Sequence, residues 1–329
     1  MSNQQAVRAG VIGVGSMGHN HARVYQELAT AELVGVADAD VDRAGAVAEA
    51  FETEAYSMSE LVERVDVVSI AVPTQYHYDV ARECIDAGVH VLIEKPFVDD
   101  LSTGRKLIEF AEDRDVVLQV GHIERFNPAV DTLMEFVPDL NVLALEARRM
   151  GPPLERDIDD SVVLDLMIHD IDVLLAILGE DELTSIEALG REDGDYATAI
   201  CRSESGTIGQ LTASRVTQKK IRELTISAES CRIYVDYIGQ SIEITRGSLP
   251  EYVKQQRTGF DYRHENVVEQ VLIDRQEPLK SELASFVEAV VTGGEPVVSG
   301  EDGLRAIEVA RRIDRLAVER PTRVEEIAE

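Results

Sequence analysis

Three groups of residues in this sequence have the types and spacing that chemistry at a bound cofactor requires. The first is Gly13-x-Gly15-x-x-Gly18, which follows an apolar, strand-like run and opens a helix-like segment. Such glycines allow a tight turn and a close approach of the backbone to a pyrophosphate, while the helix N-terminus attracts phosphate. The second apolar run ends at Asp38, where a carboxylate can accept hydrogen bonds from ribose hydroxyls. The pattern predicts a dinucleotide site, the alternative being a purely structural glycine turn.

Asp38 also bears on which dinucleotide binds. The residues that follow it are Ala39, Asp40 and Val41, so no adjacent Arg is available to a 2′-phosphate. The charge of Asp38 would itself repel that phosphate. We therefore expect NAD rather than NADP.

The second group is Glu94-Lys95-Pro96, at the end of the fourth apolar run. Doubly wound folds bind ligands at the carboxyl edge of the sheet, and an ammonium placed there can bind a substrate hydroxyl. The alternative is a surface ion pair between Lys95 and Glu94. Pro96 indicates a fixed turn of the kind that can hold a cis bond.

The third group is Asp165-x-x-x-His169-x-x-Asp172. On a helix, residues three or four apart share one face, so both carboxylates would lie near the imidazole. A carboxylate fixes the tautomer of a histidine, which suits an imidazole that takes a proton from an alcohol. Two alternatives stay open: a helix terminus with solvated acids, and a two-ligand metal site. Because no further ligand follows at a workable spacing, we expect no metal.

The elements that must position these groups alternate between Val7 and His122. Short apolar runs and amphipathic helix-like segments follow one another, which predicts an α/β fold with a doubly wound parallel sheet. After Asn127-Pro128 come a helix-like stretch, an apolar segment that ends at Gly179, and then several β-rich runs without helices. These runs predict an α+β domain with a mainly antiparallel sheet, closed by two helices.

Composition limits the classes of function. The chain has 62 Asp+Glu against 32 Lys+Arg, a formal charge of −30, which argues against nucleic-acid binding. Without a long apolar segment, we expect a cytoplasmic protein with no membrane partner. Dispersed acids with few lysines are typical of proteins that stay soluble in concentrated salt, the alternative being an ordinary acidic protein. The cysteines, Cys84, Cys201 and Cys231, are too far apart to suggest disulfides or a thiolate metal site.

Together these motifs resemble the glucose-fructose oxidoreductase and inositol dehydrogenase (Gfo/Idh/MocA) family, over nearly the whole chain. The resemblance implies an NAD-binding Rossmann domain at residues 1–122 and a substrate-binding and oligomerisation domain at residues 123–329. It implies cofactor contacts from Gly13, Gly15, Ser16, Met17, Gly18, Asp38, Pro73, Thr74, His77, Glu94 and Lys95. For Pro73-Thr74 with His77, a simple helix cap is the alternative.

The resemblance also implies a catalytic group of Lys95, Asp165 and His169. In the reaction that it implies, a hydride passes from the carbon of a secondary hydroxyl to the nicotinamide. His169 takes the hydroxyl proton, Asp165 orients His169, and Lys95 holds the oxygen as negative charge develops.

Residues 120–130 and 148–172 are similar to the branch of the family that oxidises nucleotide sugars such as UDP-N-acetylglucosamine at the 3-hydroxyl. The substrate contacts that this similarity implies are Lys95, Arg125, Asn127, Arg148, Asp165 and His169, with Arg149 and Arg156 as further candidates. The alternative for each Arg is a surface ion pair. Asp159-Asp160-Ser161 departs from the Gly pair of many members, and acids there would disfavour an anionic substrate. A free sugar or inositol, or a non-catalytic NAD-binding sensor, are the alternative functions.

Two further expectations concern the rest of the molecule. The alternating runs TIGQLTASR and RELTISAE offer an apolar sheet face, and the resemblance implies a homodimer or homotetramer formed through it. His19 and His21 are expected to be structural, and His122, at a strand end, could face the ligand.

Overall fold

The computed structural model describes residues 6–153, 160–247, 251–256, 259–263 and 266–318. The chain folds into two compact units. The first consists of Met1–Phe126 and Gln276–Glu308, and the second of Asn127–Arg275 and Val309–Glu329. The domain boundary at residue 122 stays a prediction.

A six-stranded parallel sheet organises the first unit, in the order β3-β2-β1-β4-β5-β6. The strands are β1 (Val7–Ile12), β2 (Ala31–Ala37), β3 (Glu54–Ala55), β4 (Val67–Ile70), β5 (His90–Glu94) and β6 (Leu118–Gly121). The helices between them are α1 (Ser16–Glu27), α2 (Val41–Ala50), α3 (Met58–Val62), α4 (His77–Asp86) and α5 (Leu101–Glu112). This strand order is that of a Rossmann fold, which confirms the predicted class.

The second unit is built on an eight-stranded sheet, in the order β16-β13-β12-β11-β7-β10-β9-β8. Its helices are α6 (Pro128–Phe136) and α7 (Ile168–Leu178). The strands are β7 (Val142–Met150), β8 (Leu183–Gly190), β9 (Tyr196–Ser203), β10 (Ile208–Ser214), β11 (Ile221–Ala228), β12 (Arg232–Asp236), β13 (Ser241–Gly247) and β16 (Asn266–Val271). A separate hairpin pairs β14 (Glu251–Gln256) with β15 (Gly259–Arg263). Every pairing in the large sheet is antiparallel except that of β7 with β10, so the mainly antiparallel sheet is confirmed.

Burial differs between the two sheets in the way their pairing requires. Strands β4 and β6 are buried at every residue, because helices cover both faces of the parallel sheet. Strands of the second sheet alternate instead: Leu145 and Ala147 on β7 are buried, while Glu146 between them is exposed. Ile200 on β9 and Ile208 on β10 are exposed as well. One face of this sheet therefore carries exposed apolar side chains.

Two helices close the chain, α8 (Pro278–Thr292) and α9 (Gly300–Val318). Although α8 follows the segment Asn127–Arg275 of the second unit in sequence, it belongs to the first unit. Leu283 and Phe286 on α8 join Val24 and Tyr25 of α1 in one core cluster. Within the described ranges, no helix is both long and apolar enough to span a membrane.

Candidate active site

The three glycines of the β1–α1 turn meet different surroundings. Gly13 has a φ of +84°, and a Cβ placed there would lie 2.8 Å from the carbonyl carbon of Ala71. A Cβ on Gly18 would lie 1.8 Å from the carbonyl oxygen of Gly13. A Cβ on Gly15, in contrast, would meet no atom within 4 Å. The fold therefore requires Gly13 and Gly18, whereas Gly15 leaves open space beside the N-terminus of α1, which begins with Ser16 and Met17.

A cavity of about 920 Å³ lies at the carboxyl edge of the parallel sheet. Its lining is mostly apolar and includes Gly13, Gly15, Asp38, Arg43 and Pro73. The volume lies within the range of small-molecule sites. The structure thus brings the glycine turn, Asp38 and Pro73 together, as a dinucleotide site requires.

Asp38 is held by four hydrogen bonds. Its Oδ2 accepts from the backbone N–H of Val14 (2.7 Å) and from Nε of Arg43 (3.1 Å). Its Oδ1 accepts from the backbone N–H of Asp40 (2.8 Å) and from Nη2 of Arg43 (2.7 Å). Burial raises the pKa of Asp38, but the hydrogen bonds from Arg43, Asp40 and Val14 outweigh that effect and lower it. Asp38 is therefore held as a carboxylate.

Arg43 is a site residue that the sequence analysis missed. The expectation that no Arg stands beside Asp38 considered only adjacent residues and is wrong in space. Asp40 caps α2 by accepting from the backbone N–H of Arg43, so the first helical turn brings Arg43 back towards Asp38. The signal in the sequence was that capping Asp followed three residues later by Arg.

Glu94, Lys95 and Pro96 follow β5 at the same edge of the sheet. The Lys95–Pro96 bond is cis. Glu94 is buried, so it is not half of a surface ion pair; its Oε1 accepts from Nε2 of His21 (2.9 Å) and its Oε2 from the backbone N–H of Lys95 (3.2 Å). Burial raises the pKa of Glu94, but the hydrogen bond from His21 and the charges of His21 and Lys95 lower it. The base of the Lys95 turn is thus anchored by a buried carboxylate.

His77 fixes the same turn from another side. Its Nδ1 lies 3.0 Å from the carbonyl oxygen of Pro96, and its Nε2 lies 2.9 Å from that of Val72. The imidazole of His77 is buried. In the chain, His77 comes directly after a 3₁₀ turn over Thr74–Tyr76. It connects the Pro73-Thr74 segment to the Pro96 turn; its contact with the cofactor stays a prediction.

A second buried group lies behind Glu94. His21, Glu94 and Glu282 bring one ring nitrogen and two carboxylate oxygens within 4.8 Å of one another, which is a geometry that could hold a metal ion. The hydrogen bond between His21 and Glu94 already accounts for one of these approaches. His21 is structural in this arrangement, since it anchors the carboxylate beside Lys95. The absence of a metal stays a prediction.

His122 follows β6 and is fully buried in the first unit. Burial is the largest cause that lowers its pKa, followed by the charges of Arg125 and Lys95; the charges of Glu94 and Asp302 oppose this, and the net result is a pKa of about 3. The imidazole is therefore neutral at physiological pH. The ligand contact that its place at a strand end allows stays a prediction, and the imidazole is fully buried.

This lowered pKa makes stability depend on pH. The unfolded chain takes up a proton on His122 below its ordinary value of 6.5 and the folded chain does not, so acidification favours unfolding. We expect this group to remove about 1.4 kcal/mol of unfolding free energy per pH unit below about pH 6. Urea unfolding between about pH 6.5 and 5 measures the slope, since carboxylates titrate mainly below that window. His122→Asn should reduce the slope, with a remainder from His90, whose pKa is also lowered by burial; an unchanged slope would contradict the assignment.

In the second unit, the structure places Asp165 and His169 in different helical turns. Val163–Met167 form a π-helical turn that contains Asp165, and His169 lies in the first turn of α7. The predicted single α-helix across both residues is therefore corrected at its start. Asp165 Oδ2 accepts from Nη2 of Arg215 (3.3 Å), which also donates to the carbonyl oxygen of Asp160 (2.6 Å). Arg215 is a second residue that sequence analysis missed.

The basic candidates for substrate contact have varied surroundings. Arg149 is 2% exposed and donates through Nε and Nη2 to the buried Asp170, at 2.8 Å each. It is therefore an interior ion pair and not a surface one. Arg148, on the opposite face of β7, is exposed and pairs with Glu223 of the neighbouring strand.

The remaining candidates are also engaged within their own units. Asn127 caps α6 by accepting from the N–H of Ala129 (3.1 Å), and its amide donates to the carbonyl oxygen of Tyr237 (3.1 Å). Arg125 donates to the carbonyl oxygen of Val297 (3.3 Å). Arg156 and Asp159 lie outside the described residues. Substrate contacts from Arg125, Asn127 and Arg148 stay predictions.

Two family models match the chain. One, described as an oxidoreductase family with an NAD-binding Rossmann fold, matches residues 7–122. The other, described as the GFO/IDH/MocA C-terminal domain, matches residues 147–234.

Individual proteins are similar over almost the full length. UDP-N-acetylglucosamine 3-dehydrogenase of Acidithiobacillus ferrooxidans is 34% identical, covering 95% of this chain and 97% of that protein. A solved structure of that enzyme matches with a TM-score of 0.86 at 32% identity, covering 95% of this chain and 98% of the other. Myo-inositol 2-dehydrogenase of Thermotoga maritima is 28% identical, covering 92% of this chain and 93% of that protein.

Proposed function

The chain belongs to the Gfo/Idh/MocA family of NAD-binding oxidoreductases, and on that premise we propose that it is an NAD-dependent dehydrogenase of a sugar secondary hydroxyl. The observation that carries the proposal is the arrangement of one edge of the parallel sheet. The glycine turn, Asp38 and Lys95 follow β1, β2 and β5 at their carboxyl ends. Dinucleotides and their substrates bind at that edge in doubly wound folds.

The residues present fit NAD. Gly15 leaves space where a pyrophosphate can approach the N-terminus of α1, and Asp38 is an ionised acceptor for ribose hydroxyls. When bound, NAD supplies the nicotinamide that accepts the hydride. The protein supplies position and electrostatic field.

Each proposed catalytic residue has one role. Lys95 donates to the substrate oxygen and stabilises the negative charge that develops on it. His169 takes the hydroxyl proton, and Asp165 orients His169. Arg215 in turn holds the Asp165 carboxylate through their ion pair, with N–O contact at 3.3 Å.

We further propose that the substrate is a nucleotide sugar such as UDP-N-acetylglucosamine, oxidised at the 3-hydroxyl. Support comes from the 34% identical relative, which is named as a UDP-N-acetylglucosamine 3-dehydrogenase. Oxidation of a free inositol is the second candidate, supported by the inositol dehydrogenase at 28% identity.

The test measures NADH formation at high salt with UDP-N-acetylglucosamine, N-acetylglucosamine, glucose and myo-inositol. NADH from the UDP-sugar alone supports the proposed substrate. NADH from a free sugar or from inositol keeps the dehydrogenase and overturns the nucleotide-sugar assignment. No NADH from any of the four, with NAD bound, contradicts the proposed substrate class.

Gly15→Ala should separate cofactor binding from folding. Gly15 has φ −66° and ψ −159°, which alanine adopts without strain, and its Cβ would meet open space. We expect NAD affinity to fall by about 10- to 100-fold, because the methyl group occupies the space of the pyrophosphate, while the melting temperature stays within about 2 °C.

Calorimetry with NAD and thermal unfolding provide the two readouts for that variant. Gly45→Ala on α2, which also meets open space, is the matched control and should bind NAD normally. Full NAD affinity in Gly15→Ala would refute the assigned position of the pyrophosphate.

Three wider properties are also proposed. The chain forms a homodimer or homotetramer through the sheet face that carries Ile200 and Ile208, since exposed apolar side chains gain from burial. It works in the cytoplasm. Its charge of −30 suits concentrated salt, where self-repulsion is screened.

A further inference from the structure

We propose that Arg43 allows this chain to bind NADP as well as NAD, by playing a different part with each cofactor. When NAD binds, Arg43 leaves Asp38, and the ribose hydroxyls donate to the carboxylate in its place. With NADP, Arg43 stays on Asp38 and holds the 2′-phosphate. The inference rests on the proposed function, because it concerns the same cofactor site.

The acceptor positions on Asp38 are all occupied. A carboxylate offers about four lone-pair positions, two on each oxygen. All four are used here, two by the backbone N–H groups of Val14 and Asp40 and two by the guanidinium of Arg43. A ribose hydroxyl that donates to Asp38 must therefore displace one of these donors.

The donor that can leave is Arg43. The N–H groups of Val14 and Asp40 belong to the backbone of the glycine turn and of the β2–α2 connection, and cannot move without rearranging both. The Arg43 side chain is 48% exposed, whereas that of Asp38 is 5% exposed. Because the guanidinium is half-exposed, water can replace Asp38 around it when NAD binds, while a ribose hydroxyl replaces Arg43 on the carboxylate.

Arg43 keeps free N–H donors for a phosphate even while it is bound to Asp38. A guanidinium carries five N–H groups, and the Asp38 contacts use one on Nε and one on Nη2. The two on Nη1 and the second on Nη2 are not used by Asp38. A fork of this kind matches phosphate oxygens, and the pair as a whole cancels the carboxylate charge that would repel a 2′-phosphate.

The position of Arg43 fits this role. Its side chain lines the same cavity as Asp38, together with Val41, Ala44 and Tyr56. The carboxylate that selects a ribose and the guanidinium that can accept a phosphate therefore share one wall. An unpaired carboxylate at Asp38 would repel the 2′-phosphate of NADP, but the Asp38 carboxylate is paired with Arg43.

Isothermal titration calorimetry with NAD and with NADP tests the proposal without requiring turnover. We expect wild-type protein to bind NADP with a dissociation constant within about tenfold of that for NAD. In Arg43→Ala, NADP affinity should fall by at least about tenfold, while NAD affinity should stay equal or become a few-fold tighter. Arg43→Lys keeps the positive charge but loses the forked guanidinium. Its NADP affinity should therefore lie between those of the wild type and of Arg43→Ala.

Arg8 provides a matched control. It donates through Nε (3.1 Å) and Nη2 (2.6 Å) to Asp66, and its side chain is also 48% exposed, but neither residue lines the cavity. Arg8→Ala should leave both affinities unchanged. Thermal unfolding of each variant checks that the fold is retained.

The outcomes distinguish the two proposals. If wild-type protein binds NAD but not NADP, or if Arg43→Ala keeps its NADP affinity, the role of Arg43 is overturned and the proposed function stands. If neither cofactor binds, both proposals fall.

Discussion

Lys95→Met should lower kcat for NAD reduction by about 10²- to 10³-fold, which is the loss expected when one preorganised donor to a developing oxyanion is removed. Methionine has a similar length and no charge, so the variant removes the ammonium and little volume. The turn beneath it should persist, because Glu94 is anchored by His21 and by the backbone N–H of residue 95, which every residue except proline supplies. Steady-state kinetics with the best substrate gives the measurement.

Two comparisons make the Lys95 result specific. Lys106→Met replaces an exposed lysine of α5 in the same unit and should keep full activity. Calorimetry with NAD should show a change in cofactor affinity of less than about tenfold, so the loss lies in the chemical step. A Lys95→Met enzyme with a rate within about threefold of wild type would exclude Lys95 from catalysis.

His169→Ala should lower kcat by about 10²- to 10⁴-fold, the usual contribution of a positioned general base. It should also remove the rise of the rate with pH that deprotonation of the base produces, because no other group is proposed to take the hydroxyl proton. His169 is half-buried, and replacing it with alanine leaves a space the size of an imidazole. Added imidazole should therefore restore part of the rate.

A merely structural His169 would behave differently from a base. Loss of positioning alone would lower the rate without changing the shape of its pH profile, and imidazole would not rescue it. Unchanged turnover in His169→Ala, with normal NAD affinity, would remove this residue from the mechanism altogether.

Much of the first unit could be predicted, because its strands are buried on both faces and therefore read as continuous apolar runs. β3 was missed, since a strand of two exposed residues leaves no such pattern. In the second unit, β16 was missed for a related reason: five of its six residues are exposed, so no apolar alternation marks it. Periodicity reports burial, and it fails where a strand is not buried.

The candidate site shows the same division between local and distant information. Asp38 and the glycines could be recognised because strand, turn and helix are consecutive. The partner of Asp165 could not, since Arg215 lies 50 positions further along the chain. The burial of Arg149 could have been predicted, because alternation along β7 puts it on the same buried face as Leu145 and Ala147. The π-helical turn at Asp165 leaves no sequence signal that we can identify.

The return of α8 to the first unit sets the order in which a newly made chain can mature. Every residue that lines the cofactor cavity lies between Ile12 and Val80, so the ribosome has made all of them early. The core under α1 closes only with Leu283 and Phe286, after Asn127–Arg275 has been translated. Until then the apolar side of α1 at Val24 and Tyr25 lacks its cover, and such surfaces drive aggregation. The first unit therefore cannot complete its core while the segment 1–126 alone is available, and must wait until α8 has been translated.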